Sequence, residues 1–317
     1  MTAGQTTTGP TSAGPQSPGP RTTGQIHDLG YKRYVGSRRS VGTRWRVIMR
    51  HQIATAWIGW WRFKLWLIAA ALATAITGGI LYFLRNNLLR MIGGVQGAVL
   101  TLADGLLPLS TLWYCKIGFL VSLTISATAV AGDVQSGAFT FYFARSVRPY
   151  DYVVGKLAGI GALLAMIMLA GPVVLAGVRL GLSDDLAQLI TLLPVLYKEL
   201  AIGLLGTLIY TAVPLGFSAL VTNRRHALAV WAAYYLVIGL LAVGLGRLVS
   251  PAIAALDLPS SLHAISRHLF DTRLTGRDAD PPTSAALISI LGHAAVAIGL
   301  VAWRVRNAQQ TGVGGSS

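Results

Sequence analysis

Cysteine is nearly missing from this chain of 317 residues: Cys115 is the only one. That excludes an intrachain disulfide and any CxxC-type metal or redox site, and leaves Cys115 to read as a small buried hydrophobe. Charge is scarce too, at 12% of residues, and acidic charge scarcest, with 11 Asp and Glu against 26 Lys and Arg. Acids this sparse and scattered argue against an enzyme built on converging carboxylates. Nowhere does GxxxxGK precede Ser or Thr, since the Gly155-Lys156 pair is followed by leucine. The chain therefore lacks a phosphate-binding loop of that type, and no ATP-hydrolysing activity is expected on it. Apolar residues are plentiful instead, at 53%, more than a soluble fold of this size can cover.

A net charge of +15 taken alone would suggest nucleic acid. Position points elsewhere, because much of the excess flanks long apolar runs, where it orients a chain against an anionic leaflet. The expected partner of these cations is the lipid bilayer, with no nucleic acid.

Residues 1–24 are almost wholly Thr, Gly, Pro, Ser, Ala and Gln. Their apolar surface is too small to offset the entropy of ordering, so a disordered tail is expected. No basic start followed closely by an apolar stretch occurs there, and the amino terminus is expected to be neither cleaved nor exported. Residues 25–64 form a basic connecting segment. Within it Trp45, Ile48, Met49, Ile53, Ala56, Trp57, Trp60 and Trp61 make one apolar stripe at helical spacing. We expect an interfacial helix over 43–64. Arg44, Arg46, Arg50, Arg62 and Lys64 would reach lipid phosphates, while Trp57, Trp60 and Trp61 sit at headgroup level. A basic helix that binds another protein or nucleic acid shares this pattern and stays open as an alternative.

Six apolar runs follow, near 66–84, 111–132, 157–178, 200–221, 227–249 and 285–303. Each meets the need for about 20 apolar residues across a hydrocarbon layer about 30 Å thick. None alternates with the period of two that a barrel requires, so the expected fold is an all-α integral membrane protein with a six-helix membrane domain at 65–304 and a tail at 305–317. Placing the amino terminus inside collects the basic entry segment, Arg145, Arg148, Lys156, Arg224, Arg225, Arg304 and Arg306 on one face. The opposite face holds the smaller set Arg85, Arg90, Arg179, Arg247, Arg267, Arg273 and Arg277. Both termini are therefore expected in the cytoplasm.

Isolated polar residues receive modest readings. Lys116, beside Tyr114 within the second run, is expected to snorkel. Lys198 and Glu199 adjoin the fourth run and are expected to lie partly buried at its interface. His263 and His268 are spaced wrongly for a shared metal on one helical face. Residues 85–110 read as an interfacial excursion, and 250–283, interrupted by Pro251, Pro259, Pro281 and Pro282, as one or two short re-entrant or surface helices.

The connection 133–156, DVQSGAFTFYFARSVRPYDYVVGK, carries more aromatic surface than a solvated turn needs. Phe139, Phe141, Tyr142, Phe143, Tyr150 and Tyr152 fit either a partner surface or the headgroup boundary. From about residue 43 onward the pattern resembles the permease subunit of an ABC-2 type transporter. Its best local match is AGDVQSGAFTFYFARSVRPYDYVVGKLAG, positions 131–159. Asp133, Gly137, Arg145, Val147, Tyr150, Gly155 and Lys156 occupy the matching positions. Ser146, Ala138 and Thr140 depart from the family, which commonly has Pro, Thr and Glu there. The segment 26–34, IHDLGYKRY, also resembles a stretch preceding the elbow in some permeases of this kind.

The resemblance implies an elbow helix before six spans, a coupling helix in 133–156 and re-entrant helices before span six. It further implies ATP and Mg bound by a separate ABC ATPase present in two copies, and a second permease copy as homodimer or sister heterodimer. Asp133, Gly137, Phe139, Phe141, Tyr142, Arg145, Arg148, Tyr150, Gly155 and Lys156 would form the ATPase-coupling region. A non-transporting accessory subunit and a membrane-embedded lipid-modifying enzyme are the competing classes. Compartment-sensitive reporters fused within 133–156 and after residue 306 are expected to report the same side, with a fusion near 185 on the other.

Overall fold

The computed structural model describes residues 41–88, 96–144, 147–272 and 280–310. The expected tail at 1–24, the basic residues before 41, Arg145, Arg273, Arg277 and the last residues of the chain lie outside these. Among the described residues the chain is all helix and turn. Six helical stretches are long and apolar enough to cross a membrane: Trp61–Asn86, Gly105–Gln135, Pro149–Gly181, Leu186–Leu220, Arg224–Leu248 and Thr283–Gln310. All six correspond to the apolar runs of the sequence.

Individual helices run α1 Arg44–Ile58, α2 Leu65–Phe83, α3 Gln96–Thr124, α4 Ala129–Gln135, α5 Ala138–Ala144, α6 Pro149–Met168, α7 Ala170–Gly181, α8 Leu186–Leu192, α9 Pro194–Leu220, α10 Arg224–Ala233, α11 Gly239–Leu248, α12 Leu258–Leu269 and α13 Thr283–Gln310. The excursion expected over 85–110 is replaced at its carboxyl-terminal end by helix, since α3 runs from Gln96 through Pro108 into the second span. His263 donates from Nδ1 to the Pro108 carbonyl at 3.0 Å, a structural use of that imidazole. Lys116 is exposed on α3, its ammonium 4.5 Å from the Trp113 ring centre, as a snorkelling side chain would be.

The second span is broken near its end. Thr124, Ile125, Ser126 and Thr128 cluster where β-branching and hydroxyls weaken helix, and residues 125–128 form turns before α4 resumes. The amides that open α4 find their acceptor on another helix: Val130 and Ala131 both donate to Ser218 Oγ on α9, at 3.1 and 2.9 Å. Ser126 donates to the Tyr210 carbonyl of the same helix at 3.3 Å. Span four thus caps span two.

Span five is held by aromatics. Trp231 is fully buried and donates from Nε1 to Ser122 Oγ at 2.8 Å. Phe119 stacks on Tyr235 with ring centres 3.8 Å apart, and Phe217 lies 5.1 Å from Tyr234. Spans two, four and five therefore meet in one ring cluster whose polar tips are satisfied.

Span four begins earlier than its hydropathy suggests, because α8 and α9 turn 186–199 into helix. Asp185 caps α8 by accepting from the Gln188 amide at 2.7 Å. Glu199 is consequently inside the protein rather than at an interface: it is fully buried and neither carboxyl oxygen has a hydrogen-bond partner. Lys198 points elsewhere, over the Phe270 ring at 5.4 Å. The loop after span five contains a 3-10 turn, Pro251–Leu256, and then α12, which Asp257 caps by accepting from the Ser260 amide at 3.0 Å. Leu258, Leu262 and Ile265 form the buried face of α12, against α13, α3 and α9.

Ser218→Ala leaves the Val130 and Ala131 amides buried without an acceptor, at a cost of about 1–3 kcal/mol. A lower melting temperature in detergent is the expected result, with Ser218→Thr restoring part of it.

Candidate functional site

The 133–156 connection is built from the end of span two. α4 stops at Gln135, and Gly137 turns the chain with φ +66, a conformation that side chains with Cβ rarely adopt. The short helix α5 follows. Its aromatics divide by face: Phe139 is buried and Tyr142 and Phe143 half-buried, while Phe141 is 70% exposed. Phe139 meets Tyr152 edge-on at 5.2 Å and Phe143 in a stack at 5.7 Å, and Tyr142 lies 5.6 Å from Tyr152. Burial first, and then the Asp133 charge, push the Tyr142 phenol up to about 12, so it stays neutral at any physiological pH.

α6 starts at Pro149, whose fixed φ suits the first helical position. The Arg148 amide donates to the Asp151 carboxylate at 3.3 Å, closing the helix start. One turn on, Tyr152 donates to Asp133 Oδ2 at 2.7 Å, and Lys156 Nζ pairs with the same oxygen at 2.8 Å. Lys156 also donates to Gln52 Oε1 at 3.0 Å and to the Ala129 carbonyl at 3.4 Å. All three ammonium hydrogens therefore have acceptors, one on α1 and two on α4. With side chains only 5% and 18% exposed, the Lys156–Asp133 pair is substantially shielded from water.

Gly155 and Gly159 admit α1 to this corner. A Cβ on Gly155 would sit 2.8 Å from the Trp45 carbonyl oxygen and 2.7 Å from Ile48 Cβ. A Cβ on Gly159 would sit 2.9 Å from Gln52 Cβ and 3.0 Å from the Met49 carbonyl oxygen. The two glycines, four residues apart, form the small-xxx-small face that lets helices approach backbone to backbone. This changes the reading of the amphipathic segment. Its inner stripe packs on protein, with Ile48 and Ala56 buried and Trp45, Met49 and Ile53 half-buried. The helix ends at Ile58, because Gly59 is extended, and residues 60–64 form a separate turn instead of continuing one helix to 64.

The residues expected at the membrane interface separate accordingly. Arg46, Arg50, Trp61 and Arg62 are exposed, Arg44 and Lys64 are half-buried, and Trp57 is partly covered by Phe63 at 5.4 Å. Trp60 belongs to the turn. Of the residues expected in the coupling region, Phe141, Arg148 and Tyr150 reach the surface, and Gly137 makes the turn between α4 and α5. Asp133, Phe139, Tyr142, Gly155 and Lys156 support that surface from within, and Arg145 lies outside the described residues. Gly159 was readable as a packing glycine, whereas nothing in the sequence marked Gln52. No protein-family model and no characterised protein matches the chain.

Breaking a shielded ion pair by removing one partner costs about 3–5 kcal/mol, whereas removing both costs less. Asp133→Asn and Lys156→Met should each destabilise the purified protein strongly, and the double variant should recover most of the loss. Additive losses in melting experiments would exclude the coupling described here.

Proposed function

We propose that the chain is the membrane-spanning permease subunit of an ATP-driven transporter of ABC-2 type, with α5 as its coupling helix and α1 as its elbow. One observation carries this reading: a two-turn helix between spans two and three packs three aromatics inward and holds Phe141 outward, with Tyr150, 72% exposed, and Arg148 close by in sequence. A free loop would not keep a large apolar side chain in water, and aromatic anchors seated in a partner's pocket are a common source of interface energy.

In this reading the partner ATPase binds ATP and Mg and closes as a dimer, since the permease has no phosphate-binding loop of its own. Phe141 and Tyr150 seat in the ATPase, and Arg148 pairs with an acid at its rim. The push on α5 reaches the bundle through Phe139 and Tyr152 on α6, and through the Asp133–Lys156 pair to α1. These short, buried connections favour rigid-body movement over local unfolding, as alternation between inward-facing and outward-facing states requires. A second permease copy, identical or a sister chain, completes the pathway about a two-fold axis normal to the membrane. The 133–156 face is then cytoplasmic, as the distribution of Lys and Arg favours, and the membrane is the cytoplasmic one. Export fits best, because the opposite face presents short helices and no substrate-capturing module among the described residues.

Phe141→Asp and Arg148→Glu should abolish co-purification of an ATPase from gently solubilised membranes while the permease stays folded and inserted. Phe139→Asp should instead lower its melting temperature. Unchanged ATPase recovery with both surface variants would refute the docking assignment, and a large complex without any ATPase would point to an accessory subunit.

A further inference from the structure

Beside the Asp133–Lys156 pair lies a polar cleft of about 220 Å³. It is bounded by α1, by residues 124–133 at the end of span two, and by Arg62 and Arg224. Neither guanidinium is paired with a carboxylate among the described residues. Both are nonetheless positioned. The Arg62 stem lies across Gly59, 3.1 Å from where a Cβ would stand, and its carbonyl accepts from Thr124 Oγ1 at 3.2 Å. The Arg224 stem crosses Gly132, whose absent Cβ would lie 3.2 Å from Nε, and its amide donates to Gln135 at 3.3 Å.

The acid facing the cleft, Asp133, is already neutralised by Lys156 at 2.8 Å. The hydroxyl hydrogens of Thr55 and Thr128 go to backbone carbonyls, at 2.6 and 3.0 Å. Gln52, which lines the cleft, gives its amide oxygen to Lys156 and keeps its two N–H donors. What remains on offer is two guanidinium forks whose stems rest on glycines, an amide and the exposed His51. That set matches an oxyanion rather than a cationic ligand, and phosphate is an oxyanion that guanidinium forks recognise.

We propose that this cleft binds a phosphate group, presented by the headgroup of an anionic phospholipid. Its position favours that source, since Arg62 follows the exposed Trp61 at the very start of the first span, the level where indole rings meet headgroups. A second cavity of about 620 Å³ shares Gly132, Ser136 and Arg224 and leaves space for the rest of a headgroup. The inference is independent of the ATPase assignment. A phosphate here would bridge α1, span two and span five beside the coupling helix.

The test uses the full-length protein purified in a neutral detergent, with melting followed as phosphatidylglycerol, phosphatidylcholine or inorganic phosphate is added. Phosphatidylglycerol should raise the melting temperature and phosphatidylcholine should not. In the variant carrying Arg62→Gln and Arg224→Gln, half-maximal effect should require at least about tenfold more phosphatidylglycerol. Arg247→Gln with Arg306→Gln removes the same charge at exposed positions outside both cavities and should shift it less than about twofold. Arg62→Lys with Arg224→Lys keeps the charge and should fall between the two, guarding against misfolding as the cause. If inorganic phosphate reproduces the effect with the same arginine dependence, the phosphate chemistry stands and its source is the solvent. A phosphatidylglycerol response that survives the Arg62 and Arg224 changes, or falls equally with Arg247 and Arg306, overturns the proposal.

Discussion

The closeness of α1 to α6 governs one whole end of this protein. With two glycines facing it, α1 comes near enough for Gln52 to reach Lys156, and Lys156 in turn fixes Asp133 at the end of span two. Any side chain at Gly155 or Gly159 would separate the helices and leave a charged pair without the rest of its polar shell. The entry segment is then more than a raft on the lipid surface. It is one wall of a corner whose other walls are α6 and the 133–156 connection, and the cleft with Arg62 and Arg224 opens from that corner.

That corner gives physical content to an aromatic-rich loop. A two-turn helix has little stability of its own, because the cost of nucleation is spread over too few hydrogen bonds. Here Gly137 fixes its entry, and Phe139 with Tyr142 and Phe143 fixes its inner face against Tyr152. The outer face is therefore presented in a defined orientation, at a defined distance from the buried pair.

Much of this was legible in the sequence. Runs of apolar residues of membrane-crossing length located all six long helices, since hydropathy over such lengths leaves little choice of structure. The aromatic content of 133–156, and the likeness of 131–159 to a permease pattern, marked this segment out in the sequence. What composition could not supply was direction. An apolar stripe looks the same whether lipid or protein covers it, so α1 read as interfacial although Ile48 and Ala56 face α6. Aromatic residues in a loop look alike whether they face in or out, and only the fold separates Phe141 from Phe139. Glu199 illustrates the same limit: the helical start at Pro194 carries it into the interior, where hydropathy alone placed a boundary.

The interrupted end of span two has a mechanical meaning. The Val130 and Ala131 amides at the start of α4 are stitched to a hydroxyl on span four, while those of Ala129 and Gly132 bond back to Ser126 and Thr128. Residues 125–128 thus part α4 from the long helix before it, and the start of α4 is pinned to span four. In the proposed transporter a push on α5 would therefore enter span four at Ser218 as well as span two.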